Sequence, residues 1–443
     1  MKTMKHFFSL ILLLTLASNE SVAKKFTPFT KNLSTEKEIK ASHPITVSHR
    51  YGDIDISVWD KQAIKIDAEI SGDLKDGEDL EALCKELMEG FIRVNEDVFI
   101  YVPVAQYKNN VIHLGSKKIK NAELTLTNGK RYEVSDLKLK LHVYMPDRHR
   151  LSIETRYHDL SMGSYNGEVS VSCDNGSFTA GNLSSGECRV SMKYGSVVIE
   201  KVPEIALNAY DGYVKVGRVD KLNMTSKYST ISIGSCDNAS ISSYDDDITV
   251  GDIRELSVSS KYTTFIGGNT DVVRADLYDG QFELKNVSRI SINAKYTDIE
   301  MAVVGSLNMA DSYDNNISLE LVDQLLLNSS KYSSYRIGVI SGSLTLDGYD
   351  DDFRVDLIAS TAKNINMRIK YGDYALKFDK EYGHNIRVAA THGEVNYPKS
   401  FYTITSQNTS GSVSNLQATT VGYSGSNRVL IEAYSSDIDM GLK

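Results

Sequence analysis

The chain carries two Asp-Asp-Asp triplets, at residues 245–247 and 350–352, whose carboxylates could act together. Paired carboxylates hydrolyse glycosidic bonds, and acidic turns stacked on one another could share calcium ions. However, these acids recur with a repeat, as the preference of Asp for turns predicts, whereas a catalytic site is a local departure from a repeat. The GGxGxDx pattern of calcium-binding β-rolls is also absent from the sequence.

No other motif indicates a reaction. The nine histidines are scattered, and the sequence contains neither HExxH nor GxSxG. Only the enlarged turns after Cys173, Tyr349 and Thr391 leave room for a cleft in the repeat. We therefore predict no catalytic, metal-binding or cofactor-binding residues and no enzyme. A carbohydrate-active β-helix enzyme, similar to polysaccharide lyases or hydrolases, is the alternative.

Tyrosine marks the repeat. The stretch at residues 227–260 returns almost at once at 261–294, and tyrosines from residue 194 to 349 are spaced 16, 18, 16, 18, 16, 18, 17, 19 and 17. A sustained period of this kind indicates one structural unit built many times and stacked. The predicted tyrosine ladder consists of Tyr157, Tyr194, Tyr210, Tyr228, Tyr244, Tyr262, Tyr278, Tyr296, Tyr313, Tyr332, Tyr349 and Tyr371.

Apolar residues alternate with polar ones between the tyrosines. In coils that open with Lys-Tyr, the apolar residues lie at +3, +5, +8, +11 and +13 from the tyrosine. In coils that open with Tyr-Asp, they lie one position later. A period of two is typical of β-strands. The sequence therefore predicts an all-β fold, a single parallel β-solenoid of short coils that average about seventeen positions, with a shorter and a longer winding in alternation.

Charged residues flank the tyrosines in alternation. Lysine precedes the tyrosine on one set of coils and aspartate follows it on the other, so that like charges lie two rungs apart and repel less. We expect outward charge pairing around an inward or half-inward tyrosine stack, which favours core packing over sugar stacking. The predicted charge ladder consists of Lys193, Asp211, Lys227, Asp245, Lys261, Asp279, Lys295, Asp314, Lys331, Asp350 and Lys370.

Residues 1–23 read as a signal peptide. A basic start precedes a short apolar run and small residues that end at Ala23, which predicts an exported protein. No cysteine follows the apolar run to carry a lipid anchor, and we expect no membrane-spanning segment after cleavage. The net charge of −9 argues against nucleic acid as a partner.

The mature chain divides into four predicted regions. Residues 24–43 are an N-terminal linker, 44–72 the first solenoid coils, 73–136 a helix-and-hairpin insertion that caps them, and 137–443 the main β-solenoid. Beyond residue 391 the repeat weakens, with Thr391 and Ser410 at positions where a tyrosine would open a coil. No cap follows the last coil, which opens at Tyr434. We therefore expect its exposed edge to offer an end-to-end contact.

The four cysteines show no spacing typical of a metal site. Cys236 and Cys173 fall at repeat positions that favour small buried side chains. A disulfide between Cys173 and Cys188 is the alternative in an oxidising compartment.

The segments RYGDIDISVWDKQAIKIDAEISG and LKLHVYMPDRHRLSIETRYHDLSMG, with the recurring KYG and YDG turns, resemble the DUF4097-type adhesin-like proteins of Bacteroidetes, related to autotransporter-adhesin head domains. The resemblance covers the mature chain and rests on structural repeats. It implies a right-handed solenoid in the periplasm or on the cell surface of a Gram-negative bacterium, without an established activity. We expect an adhesin-like, elongated, non-enzymatic scaffold that binds a glycan or an envelope protein.

Overall fold

The computed structural model describes residues 25–114, 117–184 and 186–443; the predicted signal peptide lies outside these ranges. The chain is 75% strand and 3% helix, and its stacked parallel coils confirm the predicted β-solenoid. Within the described ranges, no helix has the length and apolar character needed to cross a membrane.

The N-terminal part combines the first coils with antiparallel strands. Its elements are β1 (Phe26–Glu38), β2 (Ile45–His49), β3 (Asp53–Trp59), β4 (Ala63–Lys75), α1 (Leu80–Gly90), β5 (Ile92–Val94), β6 (Val98–Tyr101), β7 (Val104–Leu114), β8 (Lys117–Leu126), β9 (Arg131–Tyr132) and β10 (Val134–Pro146).

The solenoid continues with β11 (Leu151–Arg156), β12 (Asp159–Met162), β13 (Val169–Asp174), β14 (Ser177–Asn182), β15 (Glu187–Lys193), β16 (Ser196–Tyr210), β17 (Tyr213–Lys227), β18 (Thr230–Tyr244), β19 (Asp247–Val250), β20 (Ile253–Lys261), β21 (Thr264–Gly267), β22 (Thr270–Tyr313), β23 (Asn316–Lys331), β24 (Ser334–Ile358) and β25 (Asn364–Phe378). The last elements are β26 (Asn385–Thr391), β27 (Val395–Asn396), a 3-10 turn at Lys399–Phe401, β28 (Tyr402–Ser410), β29 (Val413–Thr420), β30 (Arg428–Tyr434) and β31 (Asp437–Leu442).

Strand register shows that the coils do not alternate between a shorter and a longer winding. Lys193 pairs with Tyr210, Tyr210 with Lys227, and Lys227 with Tyr244, so that these successive steps from coil to coil all have the same length in the sequence. The tyrosine moves between two adjacent positions of a uniform coil, which produces the alternating spacings in the sequence. The predicted alternation of winding length is therefore wrong.

Inward-facing apolar residues form columns along the axis. Val197, Val214 and Ile231 are in register, and Phe265 stacks on Phe282 with ring centroids 5.2 Å apart. Each of these side chains is at most 1% exposed. A single coil could not keep these residues from water. Stacking therefore supplies the core that one coil lacks.

The N-terminal end is closed by antiparallel strands. Strand β1 lies within residues 24–43, which the sequence predicts to be a linker; it pairs along its whole length with β4, which pairs on its other side with β10. An ion pair of 2.7 Å between Lys31 and Glu81 joins β1 to α1. Most of the predicted linker is thus a strand, because its alternating residues complete the sheet.

At the C-terminal end, the order of the strands in the sheet differs from their order in the sequence. Strand β30 pairs with β25 on one side and with β26 on the other, and β31 lies between β25 and β27. Strands β28 and β29 then form an antiparallel hairpin beyond β26. The coil at Tyr434 therefore lies between two others: β30 is paired on both sides, and β27 covers β31 at Ile438 and Asp439. Ser410 lies at the hairpin turn instead of opening a coil.

Candidate functional site

Tyrosine rings, most of them exposed and two of them half-buried (Tyr244 and Tyr313), form a continuous file along the solenoid. Neighbouring rings lie edge to face, with centroids 5.2–6.0 Å apart and interplanar angles of 70–89°. We call this file the tyrosine stripe: Tyr194, Tyr210, Tyr228, Tyr244, Tyr262, Tyr278, Tyr296, Tyr313, Tyr332, Tyr349, Tyr371 and Tyr434. Tyr157 makes no ring contact with it in the part of the chain that the structure describes. At about 4.8 Å per rung, the stripe is about 50 Å long.

The rings of the stripe point outward, which contradicts the predicted inward or half-inward stack. Tyr228 and Tyr262 are each 45% exposed, and Tyr278 is 38% exposed. The reason is the backbone: the corner residue of each coil, whether tyrosine or aspartate, has φ between 50° and 65°. This left-handed conformation interrupts the alternation of the strand. Two successive side chains therefore face solvent, and the residue after them turns inward.

The stripe has two columns with alternating contents. The first column reads Lys193, Tyr210, Lys227, Tyr244 and Lys261 along the axis. The second column contains the residue that follows each of these, so that tyrosine and aspartate alternate there. All the lysines of the predicted charge ladder lie in the first column, and all its aspartates lie in the second.

Three lysines of the charge ladder, Lys193, Lys227 and Lys261, lie over tyrosine rings, whereas Lys295 pairs at 3.4 Å with Asp311, which is outside the ladder. Lys193 Nζ is 5.0 Å from the Tyr194 ring centroid, and Lys227 Nζ is 5.8 Å from that of Tyr244. Among the described residues, no lysine of the charge ladder lies within 4 Å of an aspartate of that ladder. The predicted charge pairing is therefore wrong: a cation over an aromatic face replaces it, and both columns of charge stay open to solvent.

A shallow groove runs beside the first column of the stripe. It encloses about 580 Å³ and is floored by outward-facing residues of successive coils. These residues lie two and four positions before the first column, and strand geometry places them on the same face as its lysines and tyrosines. The exposed side chains of the floor are small and polar, with one charge of each sign at one end: Asn208, Asn223, Thr225, Ser240, Ser242, Ser257, Ser259, Arg274 and Asp276.

The surroundings of several second-column tyrosines disfavour loss of the phenol proton. Desolvation raises the pKa of Tyr228, and the neighbouring phenols of Tyr244 and Tyr210 raise it further. The pKa values of Tyr262 and Tyr296 shift in the same direction for the same cause. These three positions therefore offer uncharged rings and hydroxyls to a ligand.

Polar side chains are buried directly beneath the stripe. Asp246 follows the corner residue of its coil, is 3% exposed, and accepts hydrogen bonds from Ser226 Oγ, Ser229 N, Ser243 Oγ and Tyr244 N at 2.7–3.1 Å. Small or polar residues occupy the equivalent position in other coils. The buried network holds the corner in its left-handed conformation, and this conformation directs the rings outward.

The two acidic triplets do not form carboxylate pairs. Asp245 and Asp247 face solvent, whereas Asp246 points into the corner between them. In the second triplet, Asp351 is likewise 1% exposed beneath its exposed neighbour Asp350. Burial raises the pKa of Asp351 to about 6. Each triplet places one carboxyl in the core, and therefore none presents three carboxylates to a substrate.

A Ser/His/Asp grouping that the sequence does not indicate lies on the outer face of β3 and β10. His142 Nε2 is 2.9 Å from Ser57 Oγ, and His142 Nδ1 is 3.3 Å from Asp55 Oδ2. Strand β3 pairs with β10 over Asp53–Trp59 and with β12 over Ile54–Ile56. An acyl-transfer site also needs donors for an oxyanion. The hydrogen bonds of the described residues assign no such donor to this grouping, and we assign it no reaction.

All four cysteines are free thiols in the structure and all are buried. Burial raises the pKa of Cys173 and Cys236 to about 11 and that of Cys188 to about 12. Cys173 Sγ donates to the carbonyl of Gly176 at 3.1 Å and is not bonded to Cys188. Raised pKa values keep these thiols protonated and unreactive.

No family model matches the sequence, and no curated protein matches it. Two solved structures match at low similarity. A "putative cell adhesion protein" from Clostridium sporogenes is 10% identical with a TM-score of 0.17, over 94% of this chain and 100% of that chain. A "putative lipid binding protein" from Parabacteroides distasonis is 13% identical with a TM-score of 0.25, over 71% of this chain and 97% of that chain. Likeness at this level carries no argument about function, and the resemblance to DUF4097-type proteins stays a prediction.

Proposed function

We propose that this protein is an exported, non-enzymatic scaffold of the bacterial envelope, which binds a linear glycan along the tyrosine stripe and the adjoining groove. The exposed file of stacked rings carries the proposal. Aromatic rings and small polar side chains are the groups that supply apolar contact and hydrogen bonds to sugars. An extended surface of equivalent rungs suits a polymer, because each additional rung repeats the same contacts.

Rigidity of the stripe supports this function. Each ring is held by its neighbours, and the corners beneath are held by buried hydrogen bonds such as those to Asp246. A surface that is already ordered loses little side-chain entropy on binding.

The proposal is tested with the mature protein on a glycan array, followed by titration of the best polymer against Tyr244→Ala/Tyr278→Ala. Loss of two stacking rings, at roughly 0.5–1.5 kcal/mol each, should weaken binding about tenfold. Tyr213→Ala is the matched control, since Tyr213 is 42% exposed and lies outside the stripe. Absence of binding to any glycan, or an equal loss with Tyr213→Ala, would overturn the proposal.

The same polymers serve to test the non-enzymatic part. Incubation of each bound glycan with the protein should release no new reducing ends and no unsaturated products. Turnover that disappears on changing an exposed acid such as Asp352 would favour the carbohydrate-active enzyme instead. Cell fractionation tests export, which should deliver the chain to the periplasm or the cell surface.

A further inference from the structure

The groove beside the tyrosine stripe has unpaired charges on only one of its long borders. On the other border, Glu204 is paired with Lys221 at 2.6 Å and Glu255 with Arg254 at 2.8 Å. Lys227 and Lys261 belong to the first column, two residues along their strands from the floor residues Thr225 and Ser259. The aspartates belong to the second column, beyond the tyrosines and at the left-handed corner. A ligand in the groove therefore meets unpaired ammonium groups along the border beside the first column. The aspartates of the second column face away across the stripe, and Asp276 stands at one end of the floor.

The lysines of this border are spaced more widely than the rungs. Between Lys227 and Lys261 stands Tyr244, in register with both. Two rungs correspond to about 9–10 Å. This distance is close to the length of two sugar residues in an extended chain. It is far longer than the roughly 3.4 Å per charge of a nucleic acid strand.

These lysines are free to take a ligand's charge. Lys227 Nζ is 5.8 Å from the Tyr244 ring centroid, and Lys261 Nζ is 6.0 Å from that of Tyr278. In the described part of the chain neither has a carboxylate within 4 Å, and both are exposed. Binding an acid at Lys227 and Lys261 breaks no internal ion pair, whereas a neutral glycan would leave both ammonium groups unused.

We propose that the groove binds an acidic linear polysaccharide with one carboxylate in each disaccharide. The carboxylates lie on Lys227 and Lys261, the intervening neutral sugar lies against Tyr244, and sugar hydroxyls bond to the floor of Ser, Thr and Asn. This inference rests on the proposed glycan-binding function and adds the chemical class and the charge period of the ligand.

The test compares four probes at two salt concentrations: hyaluronan, whose disaccharide carries one carboxylate, hyaluronan with its carboxyl groups reduced, neutral dextran, and poly-glutamate. We expect hyaluronan to bind best and its affinity to fall about tenfold on carboxyl reduction. Lys227→Gln/Lys261→Gln should weaken hyaluronan binding about fivefold, as expected for two exposed ion pairs, and should flatten its salt dependence. Lys215→Gln, an exposed lysine outside the groove, is the control.

The outcomes separate this inference from the proposed function. If reduced hyaluronan or dextran binds as well as hyaluronan, and only the tyrosine variant loses affinity, glycan binding stands and the acidic ligand is wrong. If Lys215→Gln weakens hyaluronan binding as much as Lys227→Gln/Lys261→Gln does, the groove lysines have no special role and the inference fails. Preference for poly-glutamate would overturn both. Circular dichroism of each variant checks that the coils are intact.

Discussion

Asp246 and Asp351 occupy the same position in two coils of the solenoid, yet their surroundings differ. Asp246 receives four hydrogen bonds at 2.7–3.1 Å, two of them from the hydroxyls of Ser243 in its own coil and Ser226 in the preceding coil. Asp351 accepts one from Ser333 N at 2.8 Å, and its Oδ2 has no partner among the described residues. Equal position in a repeat therefore does not ensure equal chemistry.

One missing hydroxyl explains the difference. Gly348 stands where Ser243 stands in the coil of Asp246, and the serine of the preceding coil, Ser330, bonds to Tyr335 Oη at 2.8 Å. A Cβ on Gly348 would lie 2.8 Å from Asp351 Oδ2 and 3.1 Å from Tyr374 Oη. The larger Tyr374 has thus taken the space that a serine would need, and its hydroxyl is also without a partner among the described residues.

The largest expected effect is that of Asp246→Ala. It leaves three buried donors without an acceptor, because only Ser243 Oγ keeps another partner, Thr263 Oγ1 at 2.7 Å. At about 1–3 kcal/mol for each donor before relaxation, the change should lower the free energy of unfolding by about 3 kcal/mol or more. Urea unfolding at pH 7 measures this loss. Asp247→Ala, at an exposed neighbour, should stay within about 0.5 kcal/mol of wild type. Equal effects of the two changes would mean that the buried network is unimportant.

Asp351→Asn should raise the free energy of unfolding at neutral pH, whereas Asp246→Ala lowers it. The pKa of Asp351 is about 6 in the folded chain and 3.8 as the reference for an unfolded one. Burial of the charged form therefore costs stability, which is lost as pH rises from about 4 to 6. Since asparagine stays neutral, the variant should be more stable by about 2 kcal/mol at pH 8 and equal to wild type near pH 4.

Urea unfolding of both proteins between pH 4 and pH 8 gives the curve for this comparison. A variant that is less stable than wild type at pH 8 would show that Asp351 has the hydrogen bonds that its position in the structure lacks. Asp246→Asn is the control. It replaces a carboxylate oxygen, which accepts hydrogen bonds, by an NH2 group that faces the existing donors, and it should lower the free energy of unfolding throughout this pH range.

Smaller effects should separate two buried tyrosines of one column. Tyr335 Oη contacts Ser312 and Ser330 at 2.9 and 2.8 Å, whereas Tyr374 Oη has no partner in the described part of the chain. Tyr335→Phe should therefore cost about 1 kcal/mol, and Tyr374→Phe should be neutral or stabilising by up to about 1 kcal/mol. Thermal unfolding of both variants under the same conditions measures the difference. A Tyr374→Phe variant that loses more stability than Tyr335→Phe would contradict this reasoning.

Local patterns predicted much of the fold and only part of the site. Period-two alternation identified the strands, and the recurrence of tyrosine identified the coils, because every coil must bury the same columns. The direction of the rings was missed: alternation assumes strand geometry, while the corner residues such as Asp245 have positive φ. A reader of the sequence could have suspected this from the Tyr-Asp-Gly turns, since Asp and Gly both tolerate that conformation.

The contacts of the charged residues and the order of the C-terminal strands could not be predicted from the sequence of a single coil. The position of Lys227 over Tyr244 follows from the register of strands on two adjacent coils. The pattern of residues 428–442 fits a coil at any level of the stack, and therefore could not reveal that it lies between β25 and β26. Likewise, Ser57, His142 and Asp55 come together only because β10 returns beside β3.

Insertion of β30 and β31 between earlier coils has a consequence for folding. Because β30 follows β25 and β26 in the sequence but lies between them in the sheet, β25 and β26 expose unpaired edges until residues 428–442 have folded. Other chains could capture those edges. Removal of the segment from Arg428 onward should therefore promote aggregation during refolding, more than a deletion at the hairpin turn around Gly411.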